Sequence, residues 1–378
     1  MFEVADIFRE AGQAYRGRFA ARMLPSHLRA MRDIERCRTA ALGGHLRQCD
    51  DCGALQYSYH SCRNRHCPKC HGDQTRRRLE QQRARVLPCS YFLLTFTLPA
   101  QLRDLAHAHQ KVVYGILMRT AAQSLLKLTA DPRYLGARPG IIAVLHTWTR
   151  AMLYHPHAHL LVTAGGLTGD GRIWRYPTRP EFLVPGHALS VIFRAKVRDA
   201  LDKAKLLDRV PEEAWKKKWV VHCQHAGNGM NVLDYIARYL FRIAIANSRL
   251  EHFDGDHVTF RYRDNRSGVL QRCRLPAQEF IRRFLQHVLP RGLAKVRSYG
   301  LYSPTCRAAL DHARSLLAQE LANLTPDHHH HDLRDESTDD TVSACRDHIC
   351  PCCRRGVMKI VQTLAPRPGP SATTRGPP

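Results

Sequence analysis

The feature that most restricts how this chain folds is a run of cysteines, "CDDCGALQYSYHSCRNRHCPKCH", in which Cys49-x-x-Cys52 and Cys67-x-x-Cys70 stand fourteen residues apart. Two such pairs, each hung from a tight knuckle, let four thiolates close a tetrahedron around Zn²⁺ and so fold a small domain. Cys62, His66 and His71 lie inside or beside the run as replacement ligands, with Cys62 first among them. No ligand position is open for chemistry, so the zinc reads as structural. Arg63, Arg65, Lys69 and Arg76 to Arg78 surround the knuckles and suit contacts to phosphates. The later Cys345, Cys350, Cys352 and Cys353 have no matching pair downstream and read as a disordered or half-formed site.

Fourteen cysteines would mean disulfides in a small secreted protein. Here the N-terminus, "MFEVADIFREAG", carries acids in its first six residues and no apolar stretch, which argues against a secretory leader. The expectation is metal binding in a reducing, cytoplasmic setting. Lys and Arg outnumber Asp and Glu by 58 to 33, and a formal charge of +25 draws polyanions, nucleic acid above all. An anionic membrane is the rival partner. No basic amphipathic anchor is visible, and the longest apolar run, Tyr91 to Ala100, is too short to cross a bilayer.

Residues 1–90 are Arg-rich and form the expected zinc-binding, DNA-contacting domain, helical up to the Gly43-Gly44 break. From Tyr91 the pattern turns to strands, in "YFLLTFTLP", "GIIAVLHTW" and "HPHAHLLVTAGG", with a helix over roughly 101–128 between the first two. "GMNVLDYIARYLFRIAIANSRL" opens with an amphipathic helix. A hairpin follows, with "HVTFRYRD" preceded by the Asp254-Gly255 turn signal and followed by "NRSG". "PAQEFIRRFLQHVLPRG" is a helix bounded by Pro276 and by Pro290 with Gly292. Residues 91–305 are therefore read as one catalytic domain, and 306–378 as a mostly disordered tail.

Side chains alternate along a strand, so His155, His157 and His159 share one face at about 7 Å intervals. Two neighbours at that spacing can grip one divalent ion, whereas a lone buried histidine is more often just hydrogen-bonded. Pro156 removes a ladder donor and marks a strand start or edge, which leaves His157 and His159 as the gripping pair. Tyr235 and Tyr239, four apart on a helix, point their hydroxyls the same way about 6 Å apart. Two aromatics at this spacing are ordinarily core. Arg238 and Arg242 beside them favour a phosphodiester nearby and could stabilise developing anionic charge.

Pro156-His157-Ala158-His159-Leu160, the pair Tyr235-x-x-x-Tyr239 and the upstream knuckle, in this order, resemble the HUH-type two-tyrosine insertion-sequence transposases, relatives of rolling-circle replication initiators and Helitrons. The likeness runs from about 11 to 306 and includes "CRTAALGGH", "YHSCRNRHCPKC" and "EFIRRFLQHVLPRGLAKVRSYG". It implies an α+β endonuclease domain of RRM or ferredoxin-like type, with a central antiparallel sheet flanked by helices, preceded by the small zinc-knuckle domain. The histidine pair would sit on an inner strand and hold Mg²⁺ or Mn²⁺, with a third ligand from elsewhere, for which His146, His155, His222 and Gln224 are candidates. The implied activity is nicking and rejoining of single-stranded DNA at element ends and target through a 5′-phosphotyrosine. A plasmid-type rolling-circle replication initiator and a zinc-dependent nucleic-acid-binding regulator without activity are the alternatives.

Overall fold

The computed structural model describes residues 2–70, 85–228, 243–264, 267–324 and 349–367. They fall into two compact units, one drawn from residues 1–72, 253–256 and 327–378 and the other from 73–252 and 257–326.

In the first unit, α1 (Val4–Phe19) begins with a capping box between Glu3 and Asp6, and α2 (Pro25–Arg36) begins at its proline. Ile7, Phe8, Met31 and Ile34 are fully buried, the apolar stripes that amphipathic helices turn inward. The helix expected to run on to Gly43-Gly44 is thus two helices. Strand β1 (Gly44–Cys49) pairs antiparallel with β2 (Leu55–Tyr59) and, on its other edge, with the strand Met358–Leu364. A Cβ on Gly44 would lie 2.8 Å from the Tyr59 Cα, so the close pairing requires glycine there.

The second unit contains β3 (Ser90–Thr97), α3 (Gln110–Thr129), β4 (Gly140–Trp148), β5 (Tyr154–Thr163), α4 (Gly186–Lys203), β6 (Val221–Asn228), α5 (Ala277–Gln286), β7 (Val296–Gly300) and α6 (Arg307–Leu324). Its sheet has the spatial order β7-β4-β5-β3-β6, every neighbouring pair antiparallel. The run β3-α3-β4-β5-α4-β6 is two interleaved split βαβ units, the ferredoxin-like arrangement, with β7 added at one edge. This is the α+β fold that the sequence led us to expect, with β5 at its centre.

Alternation decides which face goes where. Phe92, Leu94, Phe96, Ile141, Ala143, Leu145, Ala158, Leu160 and Val162 turn to one side and pack beneath α3 and α4. Tyr91, Ile142, Val144 and Leu161 turn to the other and meet Leu301, Tyr302 and, from α6, Leu310, Ala313 and Leu317. The histidines of β4 and β5 stand on this second face, farther along the strands. The hairpin His257–Arg263/Leu270–Pro276 leads into α5 through Phe260 against Phe280.

Of the region after Cys306, expected to be mostly disordered, the described residues supply α6 to the second unit and the strand Met358–Leu364 to the first, while 325–348 and 368–378 lie outside the described residues. Its sequence signal was weak because that strand is exposed over most of its length and shows no apolar alternation.

Candidate metal centres and DNA-acting site

The four cysteines read as one zinc site belong to two. Cys67 and Cys70 converge with Cys37 and Cys62, whereas Cys49 and Cys52 converge with Cys350 and Cys353. The hairpin explains the division. Cys49 and Cys52 lie at the closed end of β1 and β2, while Cys37 precedes β1 and Cys62 follows β2 at the open end. A strand of this length holds the two ends about 17 Å apart, too far for one ion. Cys62, the foremost replacement ligand, is a member of the first group; Cys37, at the C-cap of α2, had no partner close in sequence to mark it.

In the first group Cys37 and Cys70 sulfurs are 3.3 Å apart and Cys62 and Cys70 3.6 Å. A zinc tetrahedron with arms of about 2.3 Å has edges of about 3.8 Å, so these thiols need little movement to close on an ion. Arg38 and Arg63, each directly after a ligand, take left-handed φ values of 54° and 52° that turn the knuckles. S–H donation from Cys37, then Cys62 and Cys67, holds the Cys70 thiol far below its ordinary pKa, and the same crowding, led by Cys37, pushes Cys67 far up. For all four to be thiolates at this spacing, a cation among them would have to offset their mutual repulsion.

The histidines converge as well. His157 and His159 on β5 meet His146 on β4, which lies directly across from His157 in the ladder. All three ligand nitrogens fall within 4.8 Å of one another. His157 Nδ1 donates to the His155 carbonyl at 2.7 Å, and His159 Nδ1 bonds the Thr95 hydroxyl at 3.0 Å, contacts that fix the two rings. Trp148 stacks on the His146 ring at 4.8 Å. Burial, reinforced by His159, pushes His157 down to about 3, so its imidazole is neutral and its lone pair is available to a metal at neutral pH. Pro156, expected at a strand start or edge, is instead the third residue of the central strand β5, beyond the last β3–β5 pair, Thr97 with His157, and beside a register shift against β4 that accommodates its missing donor.

Of the other candidate third ligands, His155 accepts from Arg103 at 3.0 Å and stays outside the group. His222 and Gln224 sit on β6, beyond β3, and are exposed. His146 thus completes the trio, a position visible in sequence only as a histidine in a neighbouring strand. Tyr235, Tyr239, Arg238 and Arg242 lie outside the described residues. Near the first cysteine group, Arg63 is exposed, Arg65 bonds His66 at 3.3 Å, and Lys69 forms an ion pair with Glu3 at 2.5 Å.

Sequence reasoning missed the residues that pin the turn between β4 and β5. His287 Nε2 donates to the Met152 carbonyl at 3.2 Å and its Nδ1 accepts from Thr147 at 3.2 Å, while Arg283 and Arg249 donate to the carbonyls of Ala151 and Arg150. Met152 is left-handed at φ 59°, a conformation that needs such support. Burial pushes His287 down to about 4. Unfolding then takes up a proton between about pH 6.5 and 4, so its stabilising contribution is complete above 6.5 and is lost as pH falls through that window. The expected loss is about 3 kcal/mol at pH 4. Urea unfolding midpoints of the wild type should fall on acidification more steeply than those of His287→Gln; equal slopes would refute this role.

A ferredoxin-like sheet with three imidazoles converging on one of its faces, in a chain with a cysteine-knuckle unit and a strong positive charge, is consistent with the HUH-type fold. Residues 7–98 match the family described as "Transposase zinc-binding domain" (Zn_Tnp_IS91), and residues 140–309 match the family described as "Putative transposase" (Y2_Tnp). Among curated relatives, "Putative transposase y4qJ" of Sinorhizobium fredii is 38% identical, covering 97% of this chain and 97% of that one. "Transposase for insertion sequence element IS801" of Pseudomonas savastanoi pv. phaseolicola is 30% identical over 71% of this chain and 70% of its own length. No solved structure matches. The chain belongs to the IS91-type family of rolling-circle insertion-sequence transposases, DNA-cleaving and strand-transferring enzymes with a zinc-binding domain. Membership disfavours both alternatives, the replication initiator and the inactive regulator. Among the described residues no helix is long and apolar enough to cross a membrane.

Proposed function

We propose that this transposase nicks single-stranded DNA at the ends of its element with Tyr235 and Tyr239 as nucleophiles, and that His146, His157 and His159 hold the Mg²⁺ or Mn²⁺ that assists. The convergence of three imidazoles, two with their outer nitrogens already engaged, carries the reading. When bound, the divalent ion supplies charge stabilisation for the phosphate oxygens. Everything else falls to the chain's own groups.

A phenol with a pKa of about 10 is a weak nucleophile at neutral pH and must lose its proton as it attacks. The tyrosine oxygen forms a bond to the scissile phosphorus, the bond to the 3′-oxygen breaks, and that oxygen leaves as a hydroxyl after taking a proton. The 5′ end stays on the enzyme as a phosphotyrosine, so no ATP is required and the reverse reaction rejoins ends. Two tyrosines allow a second strand transfer while the first end is held. Arg238 and Arg242 supply cations for the phosphate.

Arg63, Arg65 and Lys69 would bind DNA phosphates from the knuckle unit. The direct test is incubation with Mn²⁺ and a labelled single-stranded oligonucleotide from the element end, read as a covalent adduct on a denaturing gel. Imidazole ligands favour Mn²⁺ over Mg²⁺, so Mn²⁺ should support nicking at least as well. No adduct with any end sequence would refute the reading. Thr95→Val removes the partner of His159 Nδ1 and should weaken Mn²⁺ binding about 10- to 100-fold, measured by calorimetry; an unchanged affinity would show that Thr95 does not orient the ring.

A further inference from the structure

We propose that Cys49, Cys52, Cys350 and Cys353 hold a second structural zinc ion, which clasps the C-terminal segment onto the β1–β2 hairpin. Two of these ligands lie far beyond residues 7–98, the stretch matched to the zinc-binding family. The cross-strand sulfur pairs, Cys49 with Cys353 and Cys52 with Cys350, are each 3.7 Å apart. That is the edge of about 3.8 Å expected for a zinc–thiolate tetrahedron.

The two pairs are built alike. In the first, the Cys49 amide donates to the Ala54 carbonyl at 2.9 Å and the Gly53 amide returns to the Cys49 carbonyl at 3.2 Å. In the second, the Cys350 amide donates to the Gly356 carbonyl at 2.7 Å and the Arg354 amide returns to the Cys350 carbonyl at 2.9 Å. Each knuckle is turned by a left-handed residue directly after its second cysteine, Gly53 at φ 71° and Arg354 at φ 58°. Backbone amides point at the sulfurs: Cys52 N to Cys49 at 3.4 Å, Cys352 N to Cys350 at 3.4 Å, and Gly356 N to Cys353 at 3.3 Å. Amide donors of this kind stabilise thiolates over thiols.

The packing around the cluster is too thin to explain the convergence by itself. Among the described residues its buried members are Cys49, Cys350 and Met358, joined by half-buried Ala54 and Cys353. From Lys359 to Thr363 the attached strand is exposed. Asp50 ties the two knuckles across, accepting from the Val357 amide at 2.7 Å and pairing with Lys359 at 3.2 Å, but exposed pairs of this sort are weak. A closed set of four sulfurs selects zinc or iron over Mg²⁺, and its lack of an open position fits a structural ion.

The test is cobalt titration of the metal-free full-length protein, followed by its thiolate charge-transfer absorption, to which the imidazole site does not contribute. Two equivalents are expected for the wild type and one for Cys350→Ser/Cys353→Ser. Cys352→Ser should keep two, because Cys352 is exposed and outside the group. Elemental analysis of protein purified without chelator should show one fewer zinc in the double variant. If that variant aggregates, the wild type decides alone. A single equivalent in the wild type, an unchanged count in the double variant, or iron in place of zinc would overturn the proposal.

Discussion

With Tyr235→Phe and Tyr239→Phe combined, the protein is expected to form no covalent adduct with an end oligonucleotide, a loss of roughly 10³ or more, as when a nucleophile is removed outright. Phenylalanine keeps the ring and drops only the oxygen, so folding and metal content should be unchanged. On the proposed mechanism either phenol can attack and both strand transfers are needed, so each single variant should still form an adduct but neither should complete transposition. An adduct that survives in the double variant would show that another residue attacks. Normal transposition by either single variant would refute sequential roles while leaving the histidine site intact as a reading.

The parts of this chain that were legible beforehand are those governed by local periodicity. Strands β3, β4 and β5 follow from β-branched and aromatic runs, and the common face of His157 and His159 from the two-residue repeat of a strand. What remained hidden depends on register and closure between distant segments. His146 becomes a ligand only because β4 pairs with β5 so that it stands opposite His157, and nothing in "AVLHTW" fixes that register. Nearness in sequence groups Cys49 and Cys52 with Cys67 and Cys70, whereas the hairpin separates the two pairs to its opposite ends. Cys350 and Cys353 could not be matched to Cys49 and Cys52 across so long an interval without the strand Met358–Leu364 to bring them home. Nothing in "FLQHVLPRG" singles out His287, whose task, holding the Met152 carbonyl, exists only in three dimensions.

His157→Ala should abolish Mn²⁺ binding at the imidazole trio and lower nicking by about 10² to 10³, the range for losing electrostatic stabilisation at a developing charge. His146→Ala should fall by a similar factor, because a three-ligand site reduced to two imidazoles holds its ion weakly whichever strand loses a member. His155→Ala is the informative contrast. It shares the strand face with His157 and His159, but its ring is taken by Arg103 and lies outside the converging group, so nicking should change by no more than a few fold. Zinc content should be the same in all three, since the cysteine groups share no ligand with the trio. Losses at His155 equal to those at His146 would place the third ligand on β5 and leave β4 only a supporting strand. Full activity in His157→Ala would mean that the sheet face carrying these rings is not where the phosphodiester is cut.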